Sequence, residues 1–179
     1  MPIFEYDERA LNYLRSKDRR LSIAIDAIGI IKRETNPDLF SALVHSIVGQ
    51  QISRKALMTV WMRIITEYGG IVTASELASS SPERLRACGL TFRKANSIQN
   101  IASKVDRGEL NIAALSFMSD TEISAELCKL PGVGIWTAEM LLMFSLQRQD
   151  ILSYGDLGIH KGLRMLYHHK VINRSLFTK

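Results

Sequence analysis

Residues 119–146 read SDTEISAELCKLPGVGIWTAEMLLMFSL, and the fold follows from how the centre of that stretch divides. Ile123, Leu127 and Leu130 recur at four- and three-residue spacing, which makes them the inner face of one helix. Trp136, Met140 and Met143 or Phe144 repeat the pattern on a second. Between the two lie Leu130-Pro131-Gly132-Val133-Gly134. Pro131 forbids continuation of the first helix, and Gly132 is free to take a positive φ in a tight turn. Gly134 lets a ligand approach the backbone where the second helix starts. Unpaired N–H groups there carry partial positive charge and suit a phosphate. An ordinary αα-hairpin with a glycine-rich turn has the same spacing.

Outward from this hairpin the periodicity stays helical. Leu11 and Leu14 give one apolar face, and Ser22 to Ile31 reads as a short buried helix. Asn36-Pro37-Asp38 is a start signal, with Asn as cap, Pro at the first helical position and Asp at the positive end. Phe40, Leu43, Val44, Ile47 and Val48 then continue to a stop near Gly49-Gln50-Gln51. Ser53 caps a helix with Leu57, Val60, Trp61, Ile64 and Ile65 inward, ended by Gly69-Gly70. Thr73 to Glu76 and Ser119 to Glu122 fit capping boxes, and Ser81-Pro82-Glu83 is a further start. Thr91 to Val105 is a longer helix between Gly89 and Gly108. No segment alternates with period two, and no repeat or long linker interrupts the chain. The expectation is an all-α protein of about ten helices, residues 1–179 forming one unit.

Composition sets the class. In 179 residues, 46% hydrophobic and 23% charged content excludes global disorder, collagen and coiled coil. The net charge of +5 permits a polyanionic partner. From Lys129 to Lys179, seven Lys/Arg stand against Glu139, Asp150 and Asp156, so most of that charge lies beside the hairpin. Cys88 and Cys128 are too few for a disulfide framework or a four-Cys metal site and read as buried, reduced residues. His45, His168 and His169 lack ligand partners and read as packing or surface groups. The start, MPIFEYDERA, lacks the basic-then-apolar pattern of a signal peptide, and LSIAIDAIGII is too short to span a bilayer. The expected location is cytoplasmic, with no membrane partner.

The hairpin does not stand alone. Asp156 follows Trp136 by twenty residues, in Ser-Tyr-Gly-Asp-Leu-Gly. Together they resemble the helix-hairpin-helix DNA glycosylase superfamily, built on a hairpin, a Gly/Pro-rich loop and an aspartate. Three more segments resemble its alkylation-repair branch, the DNA-3-methyladenine glycosylase II family: Ile47 to Ser53, Gly89 to Ala95, and Trp136-Thr137-Ala138-Glu139. The likeness runs from about Asn36 to near Tyr167. It implies a two-lobed helical fold that grips duplex DNA with the hairpin and takes a damaged base into the interlobe cleft.

What such an enzyme needs can be stated chemically. Breaking an N-glycosidic bond puts positive charge on the sugar, and a carboxylate beside it stabilises that charge or orients a water. The resemblance gives that place to Asp156; helix capping is the other role open to it. Strand-cleaving relatives carry a lysine two residues after the last hairpin glycine, for a Schiff base. Here Trp136 stands there, which implies a monofunctional, water-using enzyme that leaves an abasic site. Trp136, Met140 and Tyr154 are the base-pocket candidates. Aromatic faces favour the cationic base of an alkylated purine, Met140 replaces an aromatic of some relatives, and Trp136 is equally a packing residue.

Gln50, Gln51 and Ser53 form the loop that the resemblance places against the duplex, with Gln51 as the wedge that fills the vacated space. A solvated polar turn is the plain alternative. Phosphate contacts are expected at Gly132, Val133, Gly134 and Thr137 of the hairpin, and at Arg93, Lys94 and Lys161, with Arg164 beside the last. The resemblance implies no catalytic metal and no organic cofactor, only a structural monovalent cation at the hairpin when DNA is bound. Relatives continue with another helix or two and a Trp-Arg-Pro-type segment, which is not found here. The corresponding expectation is a partly exposed core and a missing pocket wall, in a monomer or in a dimer that covers the gap. A binding-only module is therefore the second reading, and an oxidised- or mismatched-base glycosylase the third.

Overall fold

A computed structural model describes residues 2–178. Every described α-helix but one begins where the sequence supplies a side-chain cap. The helices are α1 (Glu8–Lys17), α2 (Arg19–Ile28), α3 (Leu39–Gly49), α4 (Arg54–Glu67), α5 (Ala74–Ser79) and α6 (Pro82–Ala87). After them come α7 (Phe92–Asp106), α8 (Asp120–Cys128), α9 (Ile135–Phe144), α10 (Leu157–Tyr167) and α11 (Arg174–Phe177). A 3₁₀ turn at Ala113–Phe117 precedes α8. Asp7, Asp18, Asp38, Ser53, Thr73, Ser81, Thr91, Ser119, Asp156 and Asn173 each accept a backbone N–H of the helix that follows. The exception is α9, which starts at Gly134 with no side-chain cap. Its first N–H groups are left to a partner from outside the helix.

One lobe holds the core. Phe40, Leu43, Val44, Ile47 and Val48 of α3 meet Ile98, Ile101 and Ala102 of α7 and Ala138, Leu141 and Leu142 of α9. Ile64, Leu77, Leu85, Ile123 and Leu127 complete it from α4, α5, α6 and α8. The other lobe is thinner. There α1 packs on α2 and α2 on α10, and none of the three contains a buried residue. Tyr167 at the end of α10 donates to the Asp18 carboxylate at 3.0 Å, and Arg20 donates to the Tyr167 carbonyl at 3.1 Å. Among the described residues there is no strand, only a single bridge between Ile3 and Glu34.

Four expectations are corrected. The helix expected over Ser22 to Ile31 is α2, shifted toward the N-terminus and not buried: Ile23 and Ile28 are 61% and 66% exposed. Its apolar residues exceed the surface that α1 and α10 offer. Asp38, not Asn36, caps α3. The Asn36 side chain accepts the Asp38 N–H and so forms the turn that leads in, with Pro37 before the helix. Cys88 is buried as expected, but Cys128 is exposed. One residue beyond Leu127 turns the helix by about 100°, off the buried face. At Thr73 the box is incomplete, since Glu76 takes the Thr73 hydroxyl and not the backbone N–H. The box at Ser119 is complete.

Candidate active site and nucleic-acid interface

The site is built where α9 and α10 begin. Asp156 caps α10, its Oδ1 accepting the Ile159 N–H at 2.9 Å. Its Oδ2 accepts the Trp136 indole N–H at 3.0 Å, from the first turn of α9. Of the two roles open to Asp156 the structure shows the capping one: one oxygen caps, and the other faces α9. Partial burial pushes the carboxyl up. The indole, the Ile159 and Gly158 N–H groups and the charge of His160 together outweigh it, and the carboxyl lies below the usual value of 3.8. It is thus ionised at neutral pH and a weak base.

The turn that delivers Asp156 is held from both sides. The Asp156 N–H donates to the Ser153 carbonyl at 3.3 Å and closes the turn. Ser153 is wholly buried, and its hydroxyl donates to the Glu139 carboxylate of α9. The Tyr154 carbonyl bonds the His160 ring at 2.7 Å. The Tyr154 ring packs edge-on against His160 and Phe177, with the Arg174 guanidinium 5.1 Å from its centroid. Met140 is half-buried on α9, one turn after Trp136. Of the three pocket candidates, Trp136 is in direct contact with Asp156, while Tyr154 is engaged with α10 and α11.

The hairpin and the Gln50 loop meet. Gly132 has φ +79°, and a Cβ there would lie 2.9 Å from the Ser97 hydroxyl of α7, so the turn needs glycine on both counts. The Gln50 amide donates to the Gly132 carbonyl at 2.8 Å and to the Thr137 hydroxyl at 3.2 Å. Lys94 donates to the Val48 and Gln50 carbonyls at 2.8 and 2.7 Å, and burial followed by Arg93 pushes its ammonium down. Lys94 thereby fastens the carboxyl end of α3. Gln51 is exposed in the left-handed region at φ +56°, the tip of the loop, and Ser53 is spent on capping α4. Val133 and Thr137 are buried, whereas Gly134 is exposed at the bare start of α9. Arg93 and Lys161 are exposed on α7 and α10, and neither forms a salt bridge among the described residues. His45 packs edge-on against Trp61, 4.9 Å between centroids, as a packing residue.

Sequence reasoning left Glu139 and Ser153 without roles. Glu139 lies in the quoted Trp-Thr-Ala-Glu segment, three residues after Trp136 and so on its side of the helix. That spacing was the available signal. The identity of its partner was not, because Ser153 comes from the next loop.

An all-helical body with an uncapped glycine hairpin beside a helix-capping aspartate defines a helix-hairpin-helix protein of the DNA glycosylase fold. The chain belongs to the HhH-GPD superfamily of base excision DNA repair proteins, whose family model matches residues 44–176. DNA-3-methyladenine glycosylase 1 of Schizosaccharomyces pombe is 33% identical over 142 residues, covering 78% of this chain and 62% of its own. DNA-3-methyladenine glycosylase of Saccharomyces cerevisiae is 28% identical, over 72% of this chain and 46% of its own. The chain thus spans roughly half to three-fifths of the length of these curated relatives. A DNA-3-methyladenine glycosidase structure from Bacillus halodurans matches with a TM-score of 0.80 at 36% identity, over 93% of this chain and 77% of that one. The Schizosaccharomyces pombe enzyme Mag1 in complex with abasic DNA matches with a TM-score of 0.79 at 27% identity, over 93% and 84%.

Proposed function

We propose that this protein is a monofunctional DNA glycosylase that removes alkylated purines such as 3-methyladenine from duplex DNA and leaves an abasic site. The observation that carries the reading is the Trp136–Asp156 contact: an ionised carboxylate held by an indole, at the position where an imine-forming enzyme needs an amine. The relatives named for 3-methyladenine excision support the substrate class.

In this mechanism the hairpin binds a backbone phosphate at the bare start of α9, and the exposed Gln51 enters the stack as the target base leaves it. The N-glycosidic bond then breaks, and its electron pair goes to the base. A purine methylated at N3 or N7 is already cationic, so it departs neutral without a proton donor. The Asp156 carboxylate faces the cationic sugar and stabilises it, which suits a group of depressed pKa better than proton abstraction does. Water adds at the sugar carbon and loses its proton afterwards to solvent or to Asp156. The half-buried indole of Trp136, with Met140, lines the base side.

A monovalent cation belongs to the same proposal. The hairpin offers neutral backbone carbonyls, and among the described residues no group of His, Cys, Asp and Glu could hold a metal ion. Of those carbonyls, Gly132 already accepts the Gln50 amide. A bound cation would offset phosphate charge there.

Incubation with N-methylated duplex tests the reading. Free methylpurine, strands intact until alkali, and no borohydride-trapped adduct are expected. A trapped protein–DNA adduct with direct nicking contradicts it. A binding-only module is the second reading, and the observation on its side is that apolar Leu157, next to Asp156, is 85% exposed. Tight binding of abasic duplex without base release would establish that alternative.

A further inference from the structure

We propose that Glu139 and Ser153 are positioning residues that set the place of the Asp156 carboxylate, an inference that rests on the glycosylase reading for its consequence but not for its geometry. The turn Ser153-Tyr154-Gly155-Asp156 meets α9 at two points. At its end, Asp156 receives the Trp136 indole N–H at 3.0 Å. At its start, the buried Ser153 hydroxyl donates to Glu139. Trp136 and Glu139 are three residues apart on α9 and so share a side of that helix. Between the two points the turn lies against the helix: a Cβ on Gly155 would sit 3.7 Å from the Trp136 Cβ.

Chemistry explains why this pair is more than packing. Glu139 forms no salt bridge among the described residues, and Ser153 is its one side-chain hydrogen-bond partner there. A half-buried carboxylate without a cation is costly to keep unless a donor satisfies it. A hydroxyl donating to a carboxylate is a charge-assisted bond, roughly twice as strong as a neutral one. Ser153 also offers its carbonyl to the Asp156 N–H at 3.3 Å, so a shift of Ser153 passes directly to Asp156. The far side of the turn is already fixed by the His160 bond to the Tyr154 carbonyl. Releasing Glu139 therefore lets the turn pivot about Tyr154 and moves the carboxylate relative to the indole.

Three variants and two readouts test this. Ser153→Ala and Glu139→Leu remove the bond, while Glu139→Gln keeps an acceptor. The first readout ignores activity: the indole N–H resonance of Trp136 in proton–nitrogen NMR spectra, assigned against Trp61→Phe. It is expected to move toward the free-indole position in Ser153→Ala and Glu139→Leu, and to stay in Glu139→Gln. The second is kinetic: kcat for methylpurine release falls about tenfold or more in the first two, with KM and abasic-duplex affinity unchanged and Glu139→Gln close to wild type. An unmoved indole resonance in folded Ser153→Ala overturns the proposal, as does a wild-type kcat in both Ser153→Ala and Glu139→Leu when the wild-type protein is active. If the resonance moves but wild-type protein releases no methylpurine, the clamp stands and the reading of the activity fails.

Discussion

Asp156 gathers several independent hydrogen bonds at two oxygens, and each has a separable consequence. The indole N–H is one of the bonds that hold the carboxyl below 3.8 despite burial. A depressed carboxyl contributes stability that is present above its unfolded value and lost as pH falls through its folded value. Trp136→Phe removes the donor, so Asp156 should titrate higher in that variant, read by carboxyl carbon NMR. No upward movement would mean that the backbone N–H groups hold it alone. Gln50 can be weighed in the same way. Gln50→Leu leaves the Gly132 carbonyl and the buried Thr137 hydroxyl without their donor. The expected loss is about 1–3 kcal/mol of stability, measured by denaturant unfolding, with a larger loss of DNA affinity because the hairpin and the loop separate.

At the scale of elements, the hairpin is the demanding part. Gly132→Ala meets both a positive φ and the Ser97 hydroxyl. It should cost about 1–3 kcal/mol, a drop in Tm of roughly 2–4 °C per kcal/mol in a chain of this size. Adding Ser97→Gly relieves the contact but not the φ, so recovery in the double variant should be partial. Helix starts were legible in the sequence because a cap is local: Ser53, Ser81, Ser119 and Asp156 all accept where their spacing predicts. Burial was less legible, because it depends on what a helix meets. Apolar α2 packs mainly on α1 and α10 and stays half in water, and Cys128 turns outward although Leu127 beside it is buried. The bonds that register loops were not legible at all. Gln50 to Gly132 spans 82 positions and Lys94 to Val48 spans 46, and nothing in either local pattern chooses the partner.

For the whole molecule, the proposed function sets an excess of positive charge against a polyanion. Each phosphate neutralised should contribute about −0.9 to the slope of log affinity against log salt. Arg93 and Lys161 are exposed and outside every salt bridge among the described residues, so Arg93→Ala and Lys161→Ala should each reduce that slope by about one. Lys94→Ala instead frees the end of α3 and should lower thermal stability as well as affinity, because its ammonium serves backbone carbonyls. An unchanged slope in Arg93→Ala would take α7 out of the DNA footprint. Above these details stands the claim that Asp156 turns a DNA-holding helical body into an enzyme. Release of free 3-methyladenine from methylated duplex, compared between wild type and Asp156→Asn, tests it most directly. Asn caps a helix as well as Asp does, so the variant should fold and still bind abasic duplex while base release falls by a hundredfold or more. Equal release by the two proteins, or none by either, would contradict the account.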